Sequence, residues 1–533
     1  MTTTFTPRFR SNGHHRNGNG MNGNGRNTTE RLAVPRIPTR FLHRIRLGPA
    51  RFWRASDATT VALSFIVSIS ILFLFLIGSE ECRHWFVVPV LACGMLIGLD
   101  AVDWVRGRMN LMDPVGIVGV LGYLNFFVAP LLHVSLNEWM AWITPPPDWR
   151  EWLGKMGLVD LTGLCVYAFV CRYGGPERAR PQFPLWGIRR PWPAVLAALV
   201  FTAALQAFVY AHFGGLSGYV SLFEKETDTG KSSFTGWGWI FNISEAFPRL
   251  ALIGLTLYLW GRRRRPGWGL LGAAMIVFFG LLILFGGLRG LRSNTVWSMF
   301  WAAGVIHFCL RPLTRKLIFA GLAAFLGFMV IYAAYKHGGT RDLEKAVSGE
   351  ETQHGSSVTK VVLWDLSRAD VQAFLLYRMS RTGTDYTPAW GRTYLGALAL
   401  LIPEAIWPER PPTKIQEGTQ ILWGPDWVLI GKASNLYGLG GEALLNFGPA
   451  GVPIVFALFA LMIRGVRHFV YRLHPRDGRL FLLPVFLGLC IIGLVCDSDN
   501  VLFFLFQYST APLMVLLFIC RPISKSSYPT SSP

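Results

Sequence analysis

Long apolar runs, separated by short polar or basic segments, dominate the chain from residue 59 onwards. A membrane-spanning helix needs about 20 mostly apolar residues, because each residue rises ~1.5 Å and the hydrocarbon layer is ~30 Å thick. The pattern predicts twelve such helices: Thr59–Ile77, Trp85–Val102, Pro114–His133, Met156–Cys171, Pro193–Phe213, Ile240–Trp260, Trp268–Phe285, Asn294–Leu310, Leu317–Tyr335, Gly441–Ile463, Leu480–Val495 and Val501–Cys520.

The distribution of Lys and Arg tests this topology independently, since the spans rest on apolar residues alone. With the N-terminus in the cytoplasm, the segments predicted inside hold 32 Lys and Arg, and the five short outer loops hold 7. We expect an all-α, polytopic membrane protein with both termini cytoplasmic. Its parts are a disordered basic start (1–56), spans one to nine (57–335), an external loop (336–440), spans ten to twelve (441–520) and a cytoplasmic tail (521–533).

Composition supports the membrane assignment. The 533 residues are 52% hydrophobic and only 15% charged, whereas a soluble protein carries about 25% charged residues. An ordinary cytosolic enzyme, a collagen and a disulfide-rich scaffold are therefore disfavoured. The sequence has no P-loop, no GxGxxG after a strand and no HExxH, which disfavours ATP-driven transport and zinc proteolysis.

The predicted external loop is unusually long and carries 11 Lys and Arg with 11 Asp and Glu. Loops of this length in compact proteins are often functional. Ser357–Met379 has a helix-like apolar pattern, and Trp390–Ile406 is apolar enough to lie in the membrane interface or to re-enter the membrane. We expect a cap of short helices over a membrane cavity.

Three Arg residues are candidates for binding a phosphate. Arg289 and Arg292 lie in GGLRGLRSN at the end of the seventh span, where Arg either snorkels to the headgroups or binds a diphosphate with its planar fork. Arg249 lies inside the sixth span, one turn after Glu245. A buried structural ion pair between these two and a functional Arg are equally compatible with that spacing.

Further candidates lie in and beside the long loop. Arg368 and Asp370 occur in DLSRADVQAFLLYR, where the alternative is a solvated ion pair between Arg368 and Asp365. Glu442 and Asn446 are four residues apart in GGEALLNFGPAG and share one helix face. Glu442 is a candidate general base with Asn446 orienting it, or simply a carboxylate favoured by the helix N-terminus.

The stretch WGRTYLGALALLIPEAIWPERPPTK contains two more candidates, Trp407 and Arg410. Trp407 can form a platform for a sugar ring or act as an interfacial anchor. The pair Asp497 and Asp499 forms a DxD, which binds Mg²⁺ or Mn²⁺ in many sugar transferases. A polar turn between two helices is the favoured interpretation of this short pattern.

Four sequence elements resemble those of the O-antigen (Wzy-type) and exopolysaccharide repeat-unit polymerases of bacterial inner membranes. They are Gly287-Leu288-Arg289-Gly290, the Arg368-x-Asp370 segment, the element from Gly391 to Pro411 and the GEALLNFGPAG element from Gly441 to Gly451. The resemblance covers roughly 281–465, and the N-terminal half shares only hydropathy. Relatives often have Arg where this chain has Glu404, so a phosphate-binding role does not transfer to that position.

The resemblance implies a GT-C-like, metal-independent, inverting glycosyltransferase without a cofactor. It would join undecaprenyl-diphosphate-linked repeat units on the outer leaflet, with a flippase and a chain-length regulator as partners and no nucleic acid. Arg289, Arg249 and Arg368 would neutralise the leaving diphosphate, and Glu442 would deprotonate the attacking sugar hydroxyl. The expected substrate-binding residues are Arg292, Asp370, Trp407, Arg410 and Asn446.

Two other functions remain compatible with the sequence. An O-antigen ligase shares the architecture but transfers finished chains to another acceptor. A polysaccharide flippase or other transporter also fits twelve spans, although transporters usually contain two related halves. The first half of this chain contains no counterpart of the long loop, which disfavours transport.

Overall fold

The computed structural model describes residues 56–140, 143–172, 183–229, 237–262, 266–289, 292–348, 363, 367–381, 387–402, 406–424, 426, 435–474 and 477–522. These residues are mostly helical. The helices are α1 (Ala58–Gly78), α2 (Val87–Val105), α3 (Pro114–Tyr123), α4 (Ala129–Ser135), α5 (Trp149–Arg172), α6 (Pro191–His212), α7 (Gly215–Thr229), α8 (Gly238–Ser244), α9 (Phe247–Gly261), α10 (Trp268–Phe285), α11 (Arg292–Val305), α12 (Arg315–Ser348), α13 (Ala369–Ser380), α14 (Arg392–Ala399), α15 (Lys414–Trp423), α16 (Gly438–Phe447), α17 (Gly451–Arg472), α18 (Leu483–Val495) and α19 (Ser498–Ile519).

Short elements complete the described chain. Single 3₁₀ turns cover Glu80–Cys82, Gly287–Arg289 and Gly478–Leu482, and π-helical turns cover Leu124–Val128 and Ile306–Leu310. Strands β1 (Trp186–Ile188) and β2 (Cys520–Pro522) pair antiparallel, with Gly187 opposite Arg521. The all-helical expectation is therefore confirmed in its main feature, and the small ribbon joins the start of α6 to the end of α19.

The peripheral helices have the polarity of a membrane protein. Helix α1 buries Thr60, Ser64 and Ser68 while it exposes Phe73 and Leu74, whose exposed fractions are 60% and 69%. A soluble protein would bury the large apolar residues and expose the polar ones. Outward-facing apolar residues and inward-facing hydroxyls fit a helix that contacts lipid on its outer side.

Nine helical stretches in the described residues are long and apolar enough to cross a membrane. They are Ala58–Gly78, Val87–Val105, Pro114–Ser135, Trp149–Cys171, Pro191–His212, Gly238–Gly261, Trp268–Phe285, Gly451–Arg472 and Gly478–Val495. A tenth is obtained when Ser498–Thr510 and Pro512–Ile519, bent by 44° relative to each other, count as one span. Pro512 explains the bend, because it cannot donate a helical hydrogen bond. The molecule is thus a polytopic helical protein suited to a membrane.

The predicted spans differ from the structure at three places. Asn294–Leu310 and Leu317–Tyr335 fall on helices, but these helices are not among the nine. The predicted span Gly441–Ile463 starts too early, because the chain leaves the helix at Gly448, whose φ of 67° is left-handed, and Pro449 follows. The candidate span begins only at Gly451. The count of twelve stays a prediction.

Two hydrophobic clusters hold the bundle together. The first is formed mainly by α2–α5, α13, α16, α17 and α18, and it contains Phe127 and Phe456. The second is formed mainly by α9–α11 and the ends of α17–α19, and it contains Trp301 and Phe481. Truncation of a large side chain in either cluster lowers the free energy of unfolding by about 3–5 kcal/mol. Such tight packing keeps the neighbouring polar groups in defined positions.

The segment predicted as an external cap is more deeply integrated than a covering layer. Helix α13 buries every residue from Ala369 to Leu376 and packs against α4, α5 and α16. Helix α12 runs without a break across residue 335, where the cap was expected to begin. Of the predicted helix Ser357–Met379, residues 357–362 and 364–366 lie outside the described residues. Among the described residues, the predicted cap segment contributes α13 to the core.

Candidate functional site

Glu442 lies on α16 (Gly438–Phe447) and is only 3% exposed. Its Oε1 accepts hydrogen bonds from Thr393 Oγ1 (2.8 Å) and from Ser498 Oγ (2.6 Å). Its Oε2 accepts from the backbone N–H of Ser498 at 2.6 Å. Three donors from two distant segments therefore hold one buried carboxylate in a single orientation.

Asn446 acts on Glu442 through Thr393. Its Nδ2 donates to Thr393 Oγ1 (2.7 Å) and to the Glu442 carbonyl oxygen (2.9 Å), while its Oδ1 accepts from the N–H of Gly391 (3.0 Å). The Thr393 hydroxyl has one proton, so accepting from Asn446 leaves that proton for Glu442. Asn446 is completely buried. Asn446 therefore orients the Glu442 carboxylate through the Thr393 hydroxyl. A contact between Asn446 and substrate stays a prediction.

The Asp497–Lys414 ion pair lies directly beside this site. Asp497 Oδ2 is 2.6 Å from Lys414 Nζ, and both side chains have no exposed surface. Asp497 Oδ1 accepts from the N–H groups of Tyr437 and Gly438, each at 2.9 Å. These two amides lie at the N-terminal end of α16, where a negative charge is favourable. Asp497 therefore caps the helix that carries Glu442.

Burial and a neighbouring charge change the acidity of Glu442. Glu442 lies on helix α16, which is not one of the nine candidate membrane spans. Burial raises the pKa of Glu442 to about 7, and Asp497 adds to the rise, while the bonds from Ser498 and Thr393 oppose it. Burial, with Glu442 and Asp497 nearby, also raises the pKa of Tyr394 well above its usual value. Glu442 can therefore gain or lose a proton near neutral pH.

Arg368 packs against the same helix, and Asp370 lies in the first turn of α13. Arg368 is 6% exposed, and its Nε donates to the carbonyl of Val495 at 2.9 Å. A Cβ at Gly438 would lie 3.3 Å from Arg368 Cγ, so the Arg stem covers the first turn of α16. Asp370 is 3% exposed and accepts from the N–H of Val371. The solvated ion pair with Asp365 is wrong for Arg368, which is buried; Asp365 lies outside the described residues.

His133 and Ser367 form a buried pair beside Arg368. His133 Nε2 lies 3.1 Å from Ser367 Oγ, and its Nδ1 lies 2.8 Å from the carbonyl oxygen of Glu138. A carbonyl only accepts, so Nδ1 carries a proton, and Nε2 also lies 3.9 Å from Asp370 Oδ1. Ser367 Oγ also accepts from the N–H of Ala369 at 3.3 Å. The pair fixes the loop that precedes α13 and presents Arg368.

Arg249 belongs to a second polar network. Its side chain is buried, Nη1 donates to Ser298 Oγ (3.1 Å), and Nη2 donates to the Gln507 carbonyl (2.9 Å). Glu245 Oε2 accepts from Asn294 Nδ2 (2.8 Å) and from Gln507 Nε2 (3.0 Å). Gln507 therefore links the Arg and the Glu that were weighed as an ion pair.

The two networks meet α19 at different positions along the helix. Ser498 of the Glu442 site and Gln507 of the Arg249 network lie on this helix, nine residues apart. At 1.5 Å per residue their backbone atoms are about 14 Å apart along the axis. Arg368 and Arg249 thus belong to separate clusters.

The remaining candidates lie elsewhere or are only partly described. Arg289 ends a 3₁₀ turn and Arg292 begins α11, but their side chains lie outside the described residues. Trp407 is 40% exposed and Arg410 is half-buried, both in irregular chain. Glu404 lies outside the described residues. Hydrogen bonds through Thr393 join Glu442 and Asn446, and the Arg368 stem covers the first turn of the same helix, while Arg249 bonds to Ser298 and Gln507.

The DxD pair is bound to protein groups. Asp497 has the contacts given above, while Asp499 Oδ2 accepts from the N–H of Ile415 at 3.1 Å and its Oδ1 accepts from the N–H of Asn500 at 2.7 Å. In the part of the chain that the structure describes, no group of three His, Cys, Asp or Glu residues is placed to hold a metal ion. The two carboxylates bond to backbone N–H groups at the turn that leads into α19.

Sequence analysis did not identify five residues that build the site: Thr393, Lys414, Ser498, His133 and Ser367. Each is a single polar residue with no distinguishing motif of its own. The available signals were weak, namely Ser498 inside the Asp-Ser-Asp turn and Ser367 beside Arg368. Their partners lie far away in the chain, so local patterns could not reveal them.

The chain matches no family model, no curated protein and no solved structure in the comparisons made. The function therefore has to be argued from the chemistry of these residues. Two features are available for that argument: a buried carboxylate that titrates near neutral pH, and buried Arg residues near it and in the adjoining network.

Proposed function

We propose that the protein is a membrane glycosyltransferase that polymerises undecaprenyl-diphosphate-linked oligosaccharide repeat units during O-antigen or exopolysaccharide synthesis. The proposal includes twelve spans with a GT-C-like helical cap, a bacterial inner membrane and cytoplasmic termini. It includes a flippase and a chain-length regulator as partners. The observation that carries it is Glu442, a buried carboxylate held by two hydroxyls and an amide.

In the proposed reaction, a hydroxyl of the acceptor sugar attacks the anomeric carbon of the donor. The new glycosidic bond forms as the bond from that carbon to the diphosphate oxygen breaks, and the lipid diphosphate leaves. Glu442 takes the proton of the attacking hydroxyl. A base is most effective when its pKa lies near the operating pH, and the raised pKa of Glu442 meets this requirement.

The position of Thr393 and Ser498 suggests how the acceptor would reach Glu442. Both hydroxyls donate to Oε1, the same atom on which an acceptor hydroxyl would act. The acceptor therefore either displaces one of them or passes its proton through it. Ser498 begins α19 immediately after the turn at Asp497, so its side chain can change rotamer without breaking a helix.

Guanidinium groups would stabilise the charge that develops on the leaving diphosphate. Arg368 is the candidate within the Glu442 site. Arg249 and Arg289 are further candidates, and Arg249 Nε has no hydrogen-bond partner among the described residues. Since Arg249 lies in the separate network, its action on the same diphosphate requires the headgroup to extend along α19.

The proposal is tested with the full-length protein in lipid vesicles supplied with an undecaprenyl-diphosphate-linked repeat unit. We expect a ladder of polymers on a gel with the wild type. With Glu442→Gln we expect only the single repeat unit, because general-base catalysis contributes about 10²–10⁴-fold. Glu80→Gln is the matched control, since that carboxylate is 90% exposed and should leave the ladder intact.

The outcome separates the rival functions. Transfer of preformed chains to a different lipid acceptor, without a ladder, would identify a ligase. Transport of the intact lipid-linked sugar without any new glycosidic bond would identify a flippase. A normal ladder from Glu442→Gln would exclude this residue as the base.

A further inference from the structure

A buried ion pair next to Glu442 has no part in the proposed reaction. Lys414 and Asp497 are both fully buried, and Asp497 accepts from the N–H of Gly438, one turn before Glu442 in the same helix. We propose that this pair controls when Glu442 binds and releases its proton, so that Lys414 and Asp497 are positioning residues of the site. The catalytic meaning of this inference rests on the proposed function.

The turn before α19 connects the pair to Glu442 mechanically. Asp497 holds the start of α16 through the N–H groups of Tyr437 and Gly438. The next residue, Ser498, holds the Glu442 carboxylate through its N–H and its hydroxyl. A displacement of Asp497 therefore moves the donors of Glu442, because the two anchors are consecutive in the chain.

The pair also connects to Glu442 electrostatically. Two carboxylates in one buried site repel, and the repulsion favours the protonated form of the more weakly stabilised one. Lys414 offsets this effect by neutralising Asp497 at 2.6 Å, and its Nζ lies 4.0 Å from the centre of the Tyr437 ring. Water cannot screen these charges effectively in the interior. Removal of either charge should change the proton binding of Glu442, in opposite directions.

Other charged or titratable groups approach α16 or its neighbours, and one of them, Asp499, also interacts electrostatically with Asp497 and Lys414. They are Arg368 and Asp370 on α13, Tyr394 on α14, Asp499 on α19 and Asp160 on α5. Arg368 and Asp499 bond to the backbone at Val495 and Ile415. Asp160 Oδ1 would lie 3.2 Å from a Cβ at Gly440. In contrast, the Asp497 carboxylate accepts hydrogen bonds from the backbone at the start of α16. We therefore expect the Lys414–Asp497 pair to have the largest effect on the protonation of Glu442.

The test measures the protonation of Glu442 directly. Purified full-length protein in lipid nanodiscs is titrated from pH 5 to pH 9 while the infrared C=O band of protonated carboxyl groups is recorded, with Glu442→Gln assigning the band. We expect Asp497→Asn to lower the titration midpoint and Lys414→Met to raise it, each by about one pH unit. The double variant Lys414→Met/Asp497→Asn removes both charges and should return towards the wild-type midpoint.

Folding is controlled by thermal unfolding of each variant. If Lys414→Met does not fold, Asp497→Asn and the double variant still decide the question, because Asp497→Asn keeps Lys414 beside Asp499 and the double variant removes both charges of the ion pair. An unchanged midpoint in Asp497→Asn would overturn the inference, since a merely structural pair would reduce stability without moving the titration. Midpoints that shift in the same direction for both single variants would also overturn it.

The activity measurement keeps the two proposals apart. If polymerisation is detected, the acidic limb of its pH profile should move with the infrared midpoint in each variant. If the midpoints move as expected and no polymer forms with any variant or with the wild type, the proposed function fails while the electrostatic inference stands. If polymer forms and the midpoints do not move, the inference fails alone.

Discussion

Two buried polar regions meet α19 and neutralise their charges in different ways. At its start, Glu442 and Asp497 are held by hydroxyls, backbone amides and one direct ion pair with Lys414. About 14 Å further along, Arg249 and Glu245 are linked through the neutral side chain and carbonyl of Gln507. The first region contains two neighbouring carboxylates, and the second contains one of each sign.

This difference indicates different tasks. Neighbouring carboxylates raise the proton affinity of one member of the pair, so the first region is suited to proton transfer. A buried guanidinium and a carboxylate that share an amide partner bind α9, α11 and α19 together, and a charge-neutral network of this kind favours a fixed conformation. We therefore expect the Glu442 region to respond to pH and the Arg249 region to determine stability.

The largest effect is expected from Arg249→Met. The change leaves Ser298 and the Gln507 carbonyl without their donor and Glu245 without a nearby positive charge. Removing one partner from a buried charged network costs about 3–5 kcal/mol. Thermal unfolding of the purified protein measures the loss, and Arg262→Met, an exposed position immediately after the end of α9, is the control. Equal losses in both variants would contradict the structural role of Arg249.

A somewhat smaller change in the free energy of unfolding is expected when pH is varied, because Glu442 titrates. The folded state raises the pKa of Glu442 from 4.5 to about 7, so between these values the native protein binds a proton that the unfolded chain has released. Stability should therefore be complete below pH 4.5 and fall as pH rises to about 7, by roughly 3 kcal/mol.

The same measurement on Glu442→Gln isolates this contribution, because the amide cannot titrate. We expect unfolding free energies of the wild type and the variant to diverge steadily from pH 5 to pH 7. Parallel curves would show that Glu442 does not change its protonation on folding. In the Asp497→Asn background, the divergence should end at a lower pH and be smaller, because only the pKa of Glu442 in the folded state is lowered.

The smallest effect is expected from Thr393→Val, which keeps the shape of the side chain and removes its hydroxyl. Asn446 loses an acceptor and Glu442 loses a donor, at a cost of about 1–2 kcal/mol. Because the hydroxyl favours the ionised form of Glu442, its removal should raise the pKa of this residue and move the acidic limb of activity to higher pH. A shift of the acidic limb to lower pH in Thr393→Val would contradict the hydrogen bond that Thr393 donates to Glu442.

The sequence predicted the helical segments well where one run of apolar residues forms one helix. Pro114–Ser135 and Trp268–Phe285 match the predicted spans closely, because length and hydropathy are local properties. The prediction was wrong at Gly448, where a left-handed glycine and a proline end α16 inside an apolar run. Hydropathy alone does not report such backbone breaks.

The site was predicted in part. Glu442, Arg368 and Asp370 were identified from their residue types, and the structure buries them around one helix. Their partners were not predicted, since Thr393 and Ser498 are 49 and 56 residues away from Glu442. The joint action of Arg249 and Arg368 on one diphosphate stays a prediction, because the two side chains bond to different groups, at Gln507 and at Val495.

By itself, the sequence determined that this chain is a basic, apolar, polytopic helical protein, because burial in lipid depends on the length and polarity of each segment. Only the tertiary structure decided which polar residues meet. The contact between Arg249 and Gln507 joins residues 258 positions apart, and such contacts depend on how helices pack rather than on any local pattern. The proton chemistry of Glu442 depends on the same packing, since its burial and its charged neighbours come from distant segments.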